Sequence, residues 1–222
     1  MKKLFLILCL AIFLMAGTVN ATPVYTGTYV EMYLKKNTFP ANLSEEKVYL
    51  DAALSATITG HVGSQADSRL VTFSSTTDVL DAANGFSNIK AQDGYINNIN
   101  ITAPGYWFTD LIFSVNLTPN DNKDLTIIAM DKLGGTDSFA GMPNELDWVN
   151  GLNDILVLST SGNLMQSVTI NSRIGFESGG IDQLKETQIS GLTPIPEPAT
   201  MLLLGAGLIG LAGYGRKKFL KK

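Results

Sequence analysis

The chain has 222 residues, 45% hydrophobic and 16% charged, with 21 Gly and 8 Pro, which is enough apolar mass for one ordinary core and is neither a disordered nor a collagen-like composition. Its 16 Lys and Arg against 20 Asp and Glu give a net charge of −4, but seven basic residues crowd the two ends, so residues 22–195 hold nine basic and 19 acidic side chains, about −10. That balance excludes a nucleic-acid interface, which needs clustered Lys and Arg to neutralise phosphates, and leaves solubility or divalent-cation binding as readings of the acidity.

At the front, Lys2 and Lys3 precede thirteen apolar or small residues, Leu4 to Ala16, followed by "GTVNATP". Val19 and Ala21 supply small residues three and one positions before a cut between Ala21 and Thr22. This is the pattern of a secretory signal peptide over residues 1–21, a substrate for signal peptidase and the general export machinery. Thirteen residues rise only ~20 Å as a helix, short of a ~30 Å hydrocarbon core. The only cysteine, Cys9, falls in this removable segment, so the exported protein has no thiol for a disulfide, a nucleophile or a metal site.

From Thr22 to Thr193 the chain reads as one domain of short β-prone runs separated by turn residues. Strands are expected over Tyr29–Leu34, Val48–Thr59 and Arg69–Phe73, with "LSEEKVYLDAALS" also compatible with a helical turn or two. "YINNINIT" places Ile99 and Ile101 on one face with asparagines opposite, and "LIFSVNL" places Leu111, Phe113, Val115 and Leu117 together. "DLTIIAM" and "DILVLST" read as inner strands, apolar on both faces. "ILVLST-SGN-LMQSVTI" predicts a hairpin turned at Ser161-Gly162-Asn163, and "DLTIIAMDKLGGTDSFA" a second turned at Gly134-Gly135. Eight to eleven such strands without long helices predict an all-β fold, an antiparallel, jelly-roll-like β-sandwich.

Candidate chemistry in the domain is sparse. His61 is the sole histidine, no G-x-S-x-G elbow accompanies it, and one histidine cannot make a zinc set, so it reads as a turn residue. The many carboxylates carry no specific glycosidase signature. Calcium is the better candidate cofactor. "TPNDNKDLT" gathers Asn120, Asp121, Asn122 and Asp124, and the long stretch that follows supplies Asp137, Glu145, Asp147 and Asp154 as possible oxygen ligands, without EF-hand spacing. Trp107, within "GYWFTD", and Trp148 are candidates for stacking on sugar rings, although consecutive aromatics on a strand point to alternate faces and one or two should fill the core. Asn-x-Ser/Thr sequons stand at Asn42, Asn100 and Asn116 and carry meaning only in a host that glycosylates asparagine.

The tail is "TPIPEPATMLLLGAGLIGLAGYGRKKFLKK". Gly205-Ala206-Gly207-Leu208-Ile209-Gly210 satisfies G-x-G-x-x-G, yet only twelve residues follow, none acidic, so the second strand and ribose-binding acid of a dinucleotide fold have no room. Ala199 to Gly215 instead forms 17 uncharged residues, about 26 Å as a helix, at the short limit for spanning a bilayer. Arg216, Lys217 and Lys218 act as the stop that stays cytoplasmic. Pro194, Pro196 and Pro198 make an extended link between domain and helix.

Pro196-Glu197-Pro198, then Ala199-Thr200, an apolar Leu/Gly-rich run and a terminal basic cluster resemble the PEP-CTERM sorting signal, here spanning residues 194–222. The resemblance implies export, a transient anchor in the inner membrane, and recognition of Pro196, Glu197 and Pro198 as a substrate motif by an exosortase, a membrane-embedded cysteine transpeptidase. It implies further that the protein is cut near the motif and released or attached at the surface of a Gram-negative, exopolysaccharide-producing cell. "GFESGGIDQLKETQISGL" loosely resembles the segment before the signal in some β-rich members of that family, departing from it by "SGGI" after Phe176-Glu177. The expectation is therefore a non-enzymatic surface or matrix protein of biofilm and exopolysaccharide. The alternative is a carbohydrate-binding, lectin-like module that uses calcium, and third a hydrolase of matrix glycans.

Overall fold

A computed structural model describes residues 23–34, 39–40, 43–117, 125–140, 151–160, 162–172, 181–196, 202–209 and 211. The expected signal peptide lies outside the described residues. In chain order the strands are β1 (Tyr25–Thr26), β2 (Val30–Leu34), β3 (Glu46–Leu50), β4 (Ala53–Ser55), β5 (Thr57–Val62) and β6 (Leu70–Ser74). They continue as β7 (Leu80–Ala82), β8 (Gly85–Phe86), β9 (Asn88–Ala91), β10 (Asn98–Thr102), β11 (Tyr106–Trp107) and β12 (Asp110–Leu117). The last are β13 (Leu125–Asp131), β14 (Thr136–Ala140), β15 (Gly151–Ser159), β16 (Met165–Ser172), β17 (Ile181–Ser190) and β18 (Thr193–Pro194).

All pairings are antiparallel, as the turn-rich sequence predicts. The sandwich of separate sheets is corrected: sixteen strands form one hydrogen-bonded sheet along the path β1-β2-β15-β12-β17-β3-β5-β6-β10-β16-β13-β14, with β4, β7, β8 and β9 attached at its side. The joint is the ten-residue β17, which pairs with β12 along its length and with β3 and β9 on its other edge. A bulge opposite Phe113 lets it turn: the register jumps from Ile112↔Gln188 to Ser114↔Lys185, and Glu186 between them has φ 52°. Bent there, the sheet becomes nearly a barrel.

The two ends of the path, β1 and β14, meet without pairing. The Asp137 carboxylate on β14 accepts N–H bonds from Thr28 (3.0 Å), Tyr29 (2.6 Å) and Val30 (3.0 Å) in the β1–β2 turn. Tyr25 and Phe139 meet edge to face beside it at 4.3 Å. Gly27 is required here, because a Cβ at that position would land on the Asp137 carboxylate.

Inside lies one cluster in which Phe73, Phe108, Phe113, Met32, Leu50 and Ile58 are fully buried. Leu111, Phe113, Val115 and Leu117 share this face as the alternation predicts. "DILVLST" is apolar on both faces as expected, because Leu156 joins Tyr33 and Ile112 in a small outer cluster packed against Phe39 and Leu43. "DLTIIAM" is corrected: Leu125, Ile127 and Ala129 face the core while Thr126, Ile128 and Met130 face outward. The hairpin at Gly134-Gly135 is present, its turn capped by Asp131 Oδ1 accepting from Leu133 and Gly135 N–H at 2.9 and 2.6 Å. The hairpin at Ser161-Gly162-Asn163 is not: β15 pairs with β12 and β2, whereas β16 pairs with β10 and β13, so this connection crosses between opposite walls. The helical option for "LSEEKVYLDAALS" gives way to β3 and β4, and His61 sits within β5 rather than in a turn.

On the β5-β6-β10-β16-β13-β14 wall the outward side chains form cross-strand rows. One row runs Thr57–Ser74–Asn100–Thr169–Ile128–Ser138 and the next Thr59–Thr72–Thr102–Ser167–Met130–Thr136. A shorter row, Asn98–Asn171–Thr126–Ala140, lies beside them.

Candidate functional site

The residues with the strongest sequence signal are those of the tail, and the structure shows how the tail leaves the barrel. β17 ends at Ser190, whose hydroxyl donates to the buried Asp110 carboxylate across the β12 ladder, while Thr109 N–H donates to the Ser190 carbonyl at 3.1 Å. The chain then turns at Gly191 with φ +63°. Only glycine fits, since that conformation disfavours a side chain and a Cβ would collide with the Thr109 hydroxyl and methyl. Leu192 packs against the core, and Thr193–Pro194 pairs with Tyr106–Trp107 as a separate two-stranded sheet. Ile195 N–H donates to the Gly105 carbonyl at 2.9 Å. Pro196 follows directly, so the Pro-Glu-Pro triplet begins one residue beyond the last bond to the domain among the described residues.

This clasp is absent from the sequence reading. Thr193-Pro194 meets its partner strand across more than eighty residues of chain, and neither two-residue strand carries a periodic pattern. Proline is admissible in such an edge strand because no ladder donor is demanded of it. We expect Gly191→Ala to release the clasp, seen as faster hydrogen exchange of the Ile195 amide by at least tenfold with little change in global stability; an unchanged rate would show that the turn tolerates a side chain.

Electrostatics at the clasp centre on Asp110, which is 5% exposed. Burial, and then the charge of Glu45, push its carboxyl up to about 6, opposed by a hydrogen bond from the Thr109 hydroxyl. At the start of β3, beside Glu45, Arg69 donates to both Glu46 oxygens at 2.6 and 2.8 Å and to Asp67, which this pairing holds down to about 2. His61 belongs to that network: Nδ1 donates to the Asp67 carbonyl at 2.8 Å and Nε2 lies 3.6 Å from Asp51.

Of the calcium candidates, Asp137 closes the barrel as described, and Asp154, on β15, accepts the Ser114 hydroxyl at 2.6 Å. Glu145 and Asp147 lie outside the described residues, as do Asn120, Asp121, Asn122 and Asp124. Among the described residues no three His, Cys, Asp or Glu side chains gather as a metal set would require. Trp107 is half-buried in β11, whereas its neighbour Phe108 is fully buried. Trp148 lies outside the described residues.

Of the tail motif Pro196 is described, while Glu197, Pro198, Arg216, Lys217 and Lys218 are outside, as are Ala21 and Thr22. Residues 202–209 are helical, with the leucines in them 60–75% exposed. Among the described residues no helix is long and apolar enough to cross a membrane.

A family model described as the PEP-CTERM protein-sorting motif matches residues 194–217. Comparison with curated proteins and with solved structures gave no match. The matched stretch opens on Pro194, inside the clasp.

Proposed function

We propose, taking the PEP-CTERM sorting motif at residues 194–217 as the premise, that this chain is an exported, non-enzymatic protein of the cell surface or extracellular matrix, delivered by an exosortase. The signal-peptide pattern at residues 1–21 supports export, and the apolar run with its basic stop supports a transient inner-membrane anchor. A single histidine and the absence of cysteine beyond residue 21 support a non-catalytic role. The exopolysaccharide and biofilm setting of a Gram-negative cell rests on the resemblance of the tail.

The observation that carries the proposal is the position of the motif. The barrel holds the chain to Ile195, and six residues, 196–201, separate it from the helical stretch, a contour of at most about 25 Å. In the anchored state the β11–β18 end of the barrel therefore stays close to the bilayer, and Glu197 is presented between a folded domain and a membrane helix. A membrane-embedded transpeptidase would meet its substrate there.

The test is expression of the full chain with and without an exosortase, followed by intact and C-terminal mass spectrometry. Wild type should lose the basic end only when the enzyme is present. Glu197→Ala should leave at least nine-tenths of the protein uncut and membrane-bound. Normal processing of Glu197→Ala would overturn the proposal.

A further inference from the structure

The three outward rows on the β5-β6-β10-β16-β13-β14 wall contain no Lys, Arg, Asp or Glu. A protein surface ordinarily carries roughly a quarter to a third charged residues, and this domain has acids to spare. The opposite wall follows the ordinary rule. There the partly exposed Glu31 stands outward, and Asp154 lies in register with Ser114 and Lys185. Charge is thus withheld from these rows, where thirteen of the sixteen positions are Thr, Ser or Asn and the others are Ile128, Met130 and Ala140.

Those residues are half-exposed or exposed, apart from the buried Ser167, while their strand neighbours Ile58, Phe73, Ile101, Val168 and Ile127 fill the core. Along a strand like-facing side chains repeat every ~6.7 Å, and across strands every ~4.8 Å, so six strands give a track about 24 Å long. The one register shift in these pairings falls just beyond the rows, between Met130 and Asp131. Asn98 and Asn171 bond to one another at 2.5 Å, and the Thr169 hydroxyl donates to Asn100 Oδ1 at 2.9 Å. These cross-strand bonds, and the stiff χ1 of threonine, hold the polar groups in place before any partner arrives. Little side-chain freedom remains to be lost on binding, which favours association.

The chemistry selects the partner. Without charge the wall offers nothing to a phosphate, an acidic polymer or an anionic headgroup. It has none of the Tyr, Trp or Arg anchors that concentrate energy at protein interfaces. It does present hydroxyls and amides, each both donor and acceptor, at a regular spacing. We infer that this wall binds a neutral, hydroxyl-rich polysaccharide laid across the strands, each row meeting successive sugars directly or through water. This goes beyond sorting and uses neither calcium nor the Trp107 end of the barrel.

The test is cosedimentation of the full chain, purified in mild detergent, with microcrystalline cellulose and chitin particles, and with polygalacturonate beads as the acidic counterpart. Binding is expected to at least one neutral polymer, to change less than twofold between 0.1 and 1 M salt, roughly one Debye regime to the next, and to be absent on polygalacturonate. Thr72→Lys and Asn100→Lys should each weaken it at least tenfold, and Gln92→Lys, which adds the same charge at an exposed turn outside the rows, should leave it unchanged. Hydrogen exchange on the bound wild type keeps the test decisive if a lysine variant misfolds: protection should fall on Leu70–Ser74 and Asn98–Thr102. No binding to either neutral polymer, equal binding by the lysine variants, or protection at Tyr106–Trp107 instead would overturn the inference. So would a concentration-dependent dimer abolished by Asn100→Lys, which would give the wall to a second copy. Sorting is read at the C-terminus and binding on purified protein, so either reading can fail alone.

Discussion

Asp137→Ala is expected to lower the unfolding free energy by about 3–5 kcal/mol, because it strips the acceptor from three backbone N–H groups at once and unsatisfied buried donors are penalised at about 1–3 kcal/mol each. The donors are consecutive, Thr28, Tyr29 and Val30, and form a backbone nest whose partial positive charge suits a carboxylate. Water can replace part of the loss at Thr28 and Tyr29, which are less enclosed, but Val30 is buried. Asp137→Asn should be nearly as damaging, since one of its two heads is itself a donor facing donors. The residue also joins the only two ends of the sheet path, so its loss exposes β1 and β14 as unpaired edges, and aggregation at low urea should accompany the lower midpoint. Urea titration monitored by tryptophan fluorescence measures the first effect and light scattering the second. A change under 1 kcal/mol for the alanine variant would mean that the Tyr25–Phe139 contact closes the barrel without help.

Asp137 also shows where sequence reading stops. A carboxylate that will meet three amides and one that will meet a cation look the same on paper, since both sit among turn residues and other acids. Alternation along "LIFSVNL" did fix which side chains face the core, because burial of one face is a local property of a strand. Strand partners are not local. "ILVLST-SGN-LMQSVTI" has the alternation and turn residues of a hairpin, yet each half pairs with a different wall, and nothing within the stretch distinguishes a turn-back from a crossing. The outward Ile128 and Met130 misled in the same way, because an apolar side chain half-buried on an outer face has the same local pattern as one enclosed on both faces. The sorting motif was legible because a linear peptide is recognised by its order of residues. The clasp beneath it was not, because Gly105–Trp107 and Thr193–Ile195 become neighbours only once the barrel between them is built.

Asp110 yields the second large effect, and its sign can be worked out. The carboxyl is shifted from an ordinary 3.8 to about 6, first by burial and second by the Glu45 charge. Between those values the folded protein keeps a proton that the unfolded chain has released. Stability from this group is therefore fully present below about pH 4 and falls as pH rises through about 6, where it levels off. Two units correspond to about 3 kcal/mol. Asp110→Asn holds a neutral side chain at all pH, with an oxygen still able to accept from Ser190, so it should match wild type near pH 4 and exceed it by about 2–3 kcal/mol at pH 8. Asp67, Asp78 and Glu46, whose shifts run the other way, titrate at lower pH and contribute equally to both proteins, so the difference between the two isolates Asp110. Because Ser190 immediately precedes the Gly191 turn, ionisation of Asp110 should also loosen the clasp, and Ile195 amide exchange, corrected for its intrinsic pH dependence, should quicken between pH 5 and 7 in wild type but not in Asp110→Asn. Parallel urea titrations across pH 4–8 decide the matter: identical slopes for the two proteins would show that the carboxyl is ionised at its ordinary pH, with water reaching it at the base of the exit strand.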